Sequence, residues 1–261
     1  MPPPVPPDIV TRLRAAGCVF AEDEARLLVT AAQTPLDLVA MVDRRASGEP
    51  LEHVLGYVDF AGLRIRVDPG VFVPRGRTEL LVRQAASVAP PRAVVVDLCC
   101  GSGAVGVAVV AALDQAELHA VDVDAVAVRC ARRNVTPVGG QVHEGDLYDA
   151  LPEALRGRVD VLVANAPYVP TQEIGLLPPE ARVHEARAAL DGGRDGLDVL
   201  RRIAAGAPQW MAPGGHLLVE TSEQQATETV EAFSRSGLVP RVVRCDEHDA
   251  TVVIGAMPGR R

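Results

Sequence analysis

The amino-acid sequence predicts a doubly wound α/β fold preceded by a small N-terminal helical domain, and three observations support this. From residue 93 onward, apolar β-branched segments alternate with segments of helical periodicity. The first strand segments are apolar throughout, which is typical of parallel strands covered on both faces. Residues 8–52 carry helical patterns instead. We therefore expect a seven-stranded, mostly parallel sheet that ends in an antiparallel hairpin.

The chain divides into four predicted segments. Residues 1–7, rich in proline, are expected to form a disordered tail, and residues 8–52 a helical domain. Residues 53–74 are expected to form a β-hairpin linker. Residues 75–261 then form the α/β domain.

Three short helices are predicted in the N-terminal domain. Asp8 is expected to cap the first, which ends near Gly17. Apolar residues recur at helical spacing between Ala21 and Ala32, and Thr34-Pro35 can begin a third helix.

The strands and helices of the later segments follow from their apolar patterns. The linker hairpin is predicted at Tyr57–Phe60 and Leu63–Val67, around Ala61-Gly62, and a helix at Thr78–Ala86 follows it. Strands of the α/β domain are predicted at Ala93–Leu98, Glu117–Val121, Gln141–Glu144, Val159–Ala164, Gly215–Glu220, Pro240–Arg244 and Thr251–Gly255. Helices are predicted at Ala104–Leu113, Ala125–Asn134, Leu197–Ala205 and Glu223–Ser236. The short polar turn from Cys245 to Asp249 makes the last two strands an antiparallel pair.

Composition excludes several classes of chemistry. All 26 basic residues are arginine, so Schiff-base, pyridoxal-phosphate and P-loop mechanisms, which need a lysine, are excluded. The net charge of −8 gives no general attraction for nucleic acid. The five cysteines lack metal-site spacing, so we expect reduced thiols in a cytoplasmic protein without a metal. No signal peptide or membrane span is predicted.

A glycine turn follows the first strand of the α/β domain. The segment Val95 to Gly103 runs from an apolar strand through Asp97 into Gly101-Ser102-Gly103. Glycines there let a ligand approach the backbone, and the following helix presents free N–H groups. Gly101, Gly103 and Gly106 match a dinucleotide spacing, but a carboxylate at Asp97 suits a cationic ligand better than a pyrophosphate.

Two further acids follow the next two strands. Asp122 lies about 20 residues after the glycine turn, where a carboxylate can accept hydrogen bonds from ribose hydroxyls. Asp146 could accept from an adenine amino group, with Leu147 against the ring. Asp124 is the better candidate for the cap of the following helix.

The segment Asn165-Ala166-Pro167-Tyr168 ends another buried strand. Pro167 fixes its own φ and biases Ala166 towards an extended conformation. This can aim the Asn165 side-chain oxygen and a backbone carbonyl into a cleft, where two acceptors hold an –NH2 group and Tyr168 packs on a planar amide or base. Positioning would then supply most of the catalysis. By itself the tetrapeptide fits a strand-ending turn equally well.

These residues together resemble the protein-(glutamine-N5) methyltransferases that modify peptide-chain release factors. The resemblance rests on the stretch from Gly48 to Gly56, the stretch from Phe72 to Val82, the glycine turn, and Ala189 to Leu197 with its Asp-Gly-Gly-Arg-Asp-Gly core. The tetrapeptide resembles the family's Asn-Pro-Pro-Tyr, which adenine and guanine N-methyltransferases share. The linker and the glycine-rich stretch point to a glutamine.

The resemblance implies a Rossmann-like class I methyltransferase domain, with S-adenosylmethionine as the cofactor. The helical domain is expected to dock a protein substrate, and the chain to act as a monomer. Cofactor contacts are implied for Arg75, Thr78, Asp97, Gly101, Gly103, Asp122, Asp146, Leu147 and Asn165. Asn165, Ala166, Pro167 and Tyr168 are implied to form the catalytic segment that holds the glutamine.

The sequence departs from the family's pattern at several positions. Ala166 replaces the first proline of the tetrapeptide, and Arg75-Gly76-Arg77 replaces an Arg-Pro-acid pattern. Cys99-Cys100 stands where the family more often has a pair such as Gly-Thr. These departures leave open a different acceptor, namely an exocyclic amine of nucleic acid or a small molecule. Glu220 is expected either to line the cleft or to cap the next helix.

Overall fold

The computed structural model describes residues 5–259. Its helices are α1 Pro7–Ala15, α2 Ala21–Ala31, α3 Pro35–Ala46, α4 Leu51–Leu55, α5 Glu79–Val88, α6 Ala104–Ala111, α7 Ala125–Val135, α8 Pro179–His184, α9 Asp198–Trp210 and α10 Ala226–Arg235. Its strands are β1 Tyr57–Phe60, β2 Leu63–Arg66, β3 Val94–Leu98, β4 Glu117–Asp122, β5 Gln141–Glu144, β6 Val159–Ala164, β7 Met211–Thr221, β8 Val239–Cys245 and β9 Ala250–Ala256. Short 3₁₀ turns connect several of them.

The large sheet has seven strands in the order β5-β4-β3-β6-β7-β9-β8. The strands from β5 to β7 run parallel, and β9 runs antiparallel to both of its neighbours. The predicted terminal hairpin and the α/β fold class are thereby confirmed. Chain order reverses between β3 and β6, and ligands of open α/β sheets bind in the crevice at that point.

Apolar side chains pack on both faces of this sheet. Helix α6 is buried along most of its length, so its all-apolar sequence shows no amphipathic pattern. Gly106 on α6 lies so close to the sheet that a Cβ there would be 2.9 Å from the Leu118 side chain and 3.0 Å from Asp97 Oδ2. This contact brings the start of α6 directly against the end of β3.

The N-terminal helices share a separate apolar cluster around Leu13 and Leu28. Thr34 caps α3 by accepting from the Asp37 backbone N–H, as the sequence predicts. The cap predicted for Asp8 is wrong: α1 begins at Pro7 and has no side-chain cap, because the fixed φ of proline already suits the first turn.

The predicted tail and linker boundaries differ from the structure. Residues 1–4 of the predicted tail lie outside the described residues, whereas Val5 packs on the N-terminal cluster and Pro7 is already helical. The boundary predicted between residues 52 and 53 falls inside α4. The hairpin itself pairs Phe60 with Leu63 around Ala61-Gly62, as expected.

Arg45 joins the helical domain to the α/β domain. Its side chain is only 9% exposed and pairs with Glu24 of α2 through a 2.6 Å Nε–Oε2 contact. Its Nη1 also donates to Glu180 of α8 at 2.5 Å. A buried arginine with two carboxylate partners fixes α3 against the segment that follows β6.

Two element boundaries in the second half extend beyond the prediction. Helix α9 continues past Ala205 to Trp210, and Pro208 lies inside it without ending it. Strand β7 begins at Met211, ahead of the predicted Gly215. None of the helices within residues 5–259 is long and apolar enough to span a bilayer.

Candidate active site

A cavity opens at the carboxyl ends of β3, β4, β5 and β6. Its wall contains most of the predicted site residues: Thr78, Asp97, Gly101, Asp122, Asp146, Leu147, Asn165 and Pro167. The other predicted site residues are not part of this wall: Arg75, Gly103, Ala166 and Tyr168. The wall also includes Cys99 and Ser102 of the glycine turn. The predicted residues thus converge on the topological switch point of the sheet.

Asp97 is a buried carboxylate at the end of β3, only 1% exposed. Its Oδ2 accepts a 2.8 Å hydrogen bond from the Gly106 backbone N–H. The pKa of Asp97 is raised to about 7, mainly by burial; the hydrogen bond from Gly106 lowers this pKa, and the nearby charge of Asp122 adds to the rise. A cation in the cavity would favour the ionised form of this carboxyl group.

Asp122 holds the glycine turn in place. Its Oδ2 accepts from Gly101 N at 2.8 Å, and its Oδ1 accepts from Asp124 N at 2.9 Å. Each carboxylate oxygen keeps further lone pairs for a ligand hydroxyl. Burial raises the pKa of Asp122 above its ordinary value. Asp124 caps α7 through Val126 N, as the sequence predicts.

Asp146 and Leu147 form the opposite side of the cavity. Leu147 is 8% exposed and adopts a left-handed conformation with φ of +50°. Asp146 pairs with Arg202 of α9 at 2.6 Å between Oδ2 and Nη2. Arg202 was not identified from the sequence, because nothing along the chain indicates that α9 passes this strand end.

Asn165 follows the end of β6, the strand that pairs directly with β3. Its Nδ2 donates to Thr78 Oγ1 at 3.4 Å, and Thr78 itself is 1% exposed. Because the amide nitrogen is directed at Thr78, the Oδ1 atom of Asn165 remains an acceptor for a group in the cavity. Pro167 stands on the cavity wall next to it, and Ala166 is buried beneath.

The glycine-rich stretch after α8 packs directly on the tetrapeptide backbone. A Cβ at Gly192 would lie 2.6 Å from the carbonyl oxygen of Pro167, and one at Gly196 would lie 2.2 Å from that of Tyr168. Gln225 Nε2 donates to the same Tyr168 carbonyl at 2.9 Å. Glycine at these two positions therefore allows the glycine-rich stretch to pack directly against the backbone of the tetrapeptide.

The side chain of Tyr168 contacts Arg77. The ring is half-buried, and the phenol oxygen accepts from Arg77 Nη2 at 2.5 Å. Arg77 Nε donates in turn to Glu220 Oε1 at 3.2 Å. Glu220 is buried at the end of β7 and caps no helix, so the capping role considered for it is excluded.

Residues 70–75 form a connecting segment along one side of the cavity, to which they contribute Val71, Phe72 and Pro74. His53 Nε2 lies 2.8 Å from the Val71 carbonyl, and Val73 N donates to Glu185 Oε1 at 3.2 Å.

Arg75 also pairs with Glu185, which is fully buried. Burial raises the pKa of Glu185, and the charge of Arg75 opposes that rise. Arg75, for which the resemblance implies a cofactor contact, makes this ion pair and is not among the residues that line the cavity. No local pattern marks Glu185 as part of the site, since its partner Arg75 lies 110 residues earlier in the chain.

A family model described as the methyltransferase small domain matches residues 62–194. The release factor glutamine methyltransferase of Geobacter sulfurreducens is 40% identical over 221 residues, which cover 84% of this chain and 77% of that protein. The chain belongs to the release factor glutamine methyltransferase family. The family assignment made from the linker, the glycine turn and the tetrapeptide is thereby confirmed.

Two further similarities place the family more broadly. The 4-amino-L-phenylalanine/4-methylamino-L-phenylalanine methyltransferase of Streptomyces pristinaespiralis is 35% identical over 240 residues, 87% of this chain and 80% of that protein. A methyltransferase structure from Pyrococcus furiosus superposes with a TM-score of 0.58 at 15% identity, covering 76% of this chain and 90% of that one. The latter confirms the methyltransferase fold.

Proposed function

We propose that the protein transfers a methyl group from S-adenosylmethionine to the side-chain amide nitrogen of a glutamine in a peptide-chain release factor or a related protein. The observation that carries this proposal is the fixed amide of Asn165. With its nitrogen on Thr78, its oxygen is free to accept from an –NH2 group brought to the end of β6. The relative from Geobacter sulfurreducens, named as a release factor glutamine methyltransferase, supports the acceptor.

The residues of the cavity fit S-adenosylmethionine. Asp97 offers a buried carboxyl group whose ionised form would pair with the cationic methionine end of that molecule. Asp122 offers carboxylate oxygens to ribose hydroxyls, and Asp146 with Leu147 offers an acceptor and an apolar surface to adenine. When bound, the cofactor supplies the methyl group on a sulfonium.

The chain's own contribution to the reaction is mainly orientation. An amide nitrogen is a weak nucleophile, so its geometry and the polarisation of its N–H bonds decide the rate. Asn165 Oδ1 and the backbone carbonyl of Ala166 are the two proposed acceptors for those N–H groups. Tyr168 is proposed to pack on the plane of the amide. Pro167 stiffens the segment that carries all three.

The helical domain, residues 8–52, is proposed to dock the protein substrate. It exposes the large apolar side chains of Phe20 and Leu36, 68% and 78% exposed respectively. Exposed apolar side chains of this size suit contact with another protein better than contact with nucleic acid. The net charge of −8 also opposes a nucleic-acid substrate.

A small aromatic amine is the second candidate acceptor. It is favoured by the relative named for methylation of 4-amino-L-phenylalanine. An aryl amine would use the same two acceptors but would not need the helical domain. Direct competition between the two substrates therefore distinguishes the two candidate methyl acceptors in the wild-type protein.

The decisive experiment offers labelled S-adenosylmethionine together with a release factor, 4-amino-L-phenylalanine and RNA. We expect label on one glutamine of the release factor, located by peptide mass spectrometry. Asn165→Ala should abolish transfer while S-adenosylmethionine still raises the melting temperature. Arg235→Met, which removes an exposed arginine of α10, is the control and should behave as wild type. Label found only on the amino acid or on RNA would refute the glutamine assignment.

A further inference from the structure

Arg77 is the one link between the ring of Tyr168 and a buried charge in the described residues of the site. It lies in the 3₁₀ turn Gly76–Thr78, at the end of the connecting segment. Its guanidinium donates from Nη2 to the phenol oxygen at 2.5 Å and from Nε to Glu220 at 3.2 Å. A planar guanidinium can make both contacts at once because its donors are fixed in a fork.

Glu220 provides a rigid anchor for this arginine. Its side chain is 2% exposed and lies at the end of β7, in the middle of the sheet. One carboxylate oxygen, Oε2, is buried without a hydrogen-bond partner among the described residues. Burial raises the pKa of Glu220, and the Thr78 hydroxyl and the charge of Arg77 oppose that rise. The carboxylate therefore depends on Arg77 as its counter-ion.

The backbone before Tyr168 does not fix the orientation of the Tyr168 ring. Pro167 fixes one φ angle, but Ala166 fixes none, and Gln225 holds only the carbonyl of Tyr168. The ring can still rotate about its side-chain torsions. The contact from Arg77 to the hydroxyl removes that freedom at the far end of the side chain.

We propose that Arg77 is a positioning residue for methyl transfer, which holds the Tyr168 ring in place from its anchor on Glu220. The proposal rests on the proposed function, in which that ring packs on the acceptor amide. Arg77 does not touch the acceptor; it acts through the phenol hydroxyl. It supplies at the side chain the rigidity that a proline at position 166 would supply in the backbone.

A double-mutant cycle tests this coupling. Arg77→Met should lower kcat/KM for the release factor about tenfold, since a charge-assisted hydrogen bond is lost. Cofactor affinity should stay unchanged. In a Tyr168→Phe background, which lacks the hydroxyl, Arg77→Met should lower kcat/KM by less than about twofold. Arg235→Met is the matched control and should change neither value.

The cycle separates positioning from stability. Arg77→Met leaves Glu220 unpaired, so its melting temperature should fall equally in both backgrounds. Only the kinetic loss should disappear with the hydroxyl. Kinetic losses that multiply in the double variant would overturn the proposal, because Arg77 would then act independently of Tyr168.

A spectroscopic measurement decides the matter without the methyl acceptor. The chain has three tyrosines, so fluorotyrosine labelling gives few fluorine resonances, and Tyr168→Phe identifies the relevant one. Arg77→Met should shift that resonance and raise the pKa of the Tyr168 phenol, since Arg77 lowers this pKa against the effect of burial. An unmoved resonance would refute the role of Arg77. Failure of the wild type to methylate a release factor would refute the acceptor alone.

Discussion

Thr78 holds the amide of Asn165 by its nitrogen, at 3.4 Å between Oγ1 and Nδ2. The two residues both line the cavity and are 87 positions apart in the chain. This contact decides which end of the Asn165 amide faces the acceptor. Thr78 is therefore part of the geometry of transfer, although it offers no nucleophile or base.

Thr78→Val tests that role at nearly constant volume. Without the hydroxyl, the Asn165 amide can rotate, and its Oδ1 no longer points steadily into the cavity. We expect kcat to fall about fivefold, as for loss of one neutral hydrogen bond, with cofactor affinity nearly unchanged. Thr78→Ser keeps the hydroxyl and serves as the control in steady-state kinetics. Equal losses in Thr78→Val and Thr78→Ser would argue against the amide-orienting role.

The raised pKa of Asp97, about 7, predicts a pH-dependent affinity for the cationic cofactor. Below that pH the carboxyl group is increasingly protonated and neutral, so affinity should fall as pH drops through 7. Calorimetric titrations across this range should show the fall in the wild type. Asp97→Asn should bind weakly at every pH, without the transition. A flat wild-type profile would contradict a direct role for the charge.

Asp97 should also make the stability of the protein depend on pH, in the direction opposite to its effect on cofactor affinity. Its folded pKa lies above the ordinary value of 3.8, so the native state binds the proton more tightly than the unfolded state. This contribution to stability is present at low pH and is lost as pH rises from about 4 through 7. Asp97→Asn should therefore unfold at a higher temperature than wild type above pH 7. A lower melting temperature would show that other losses dominate.

Gly196→Ala tests the support behind the tetrapeptide. A Cβ at Gly196 would meet the Tyr168 carbonyl at 2.2 Å, and its φ of +79° is strained for alanine. We expect the free energy of unfolding to fall by about 2 kcal/mol or more, with a matching loss of transfer. Gly175→Ala, at an exposed position with open space around it, is the control for denaturant melts. A neutral Gly196→Ala would mean that the stretch can move away without consequence.

Ala166→Pro should make the site less dependent on Arg77. A proline at position 166 stiffens the backbone before Tyr168, so the ring then needs the guanidinium less. Arg77→Met should cost about threefold in the Ala166→Pro background, compared with about tenfold in the wild-type background. The four kcat/KM values form a second cycle. Equal costs in both backgrounds would show that the two sources of rigidity are unrelated.

The sequence predicts the sheet well because each strand has a recognisable local pattern of apolar residues. β3 starts with three valines ahead of Asp97, and β6 ends in the apolar run 161–164 just before Asn165, so a buried strand and its carboxyl end can be recognised from the sequence. The cap at Asp124 follows from side-chain chemistry two residues away. Such features depend on neighbours along the chain.

The remaining site contacts depend on residues that meet only in the folded chain. Arg77 finds Tyr168 across 91 positions, and Glu185 finds Val73 across 112. Neither partner has a local pattern that marks it. Arg75 is an example: the resemblance implies a cofactor contact for it, but nothing along the chain indicates its ion pair with the buried carboxylate of Glu185.

Arg45 has a consequence for how the chain can be recombined. Its partners Glu24 and Glu180 belong to different parts of the molecule, and a guanidinium left there without either would be a stranded charge. A chimera that takes its helical domain from a relative should fold stably only where the residues at positions 24, 45 and 180 all come from the same parent protein. Crossover points for engineering acceptor choice therefore have to respect this three-residue unit, however well the sequences align at the seam.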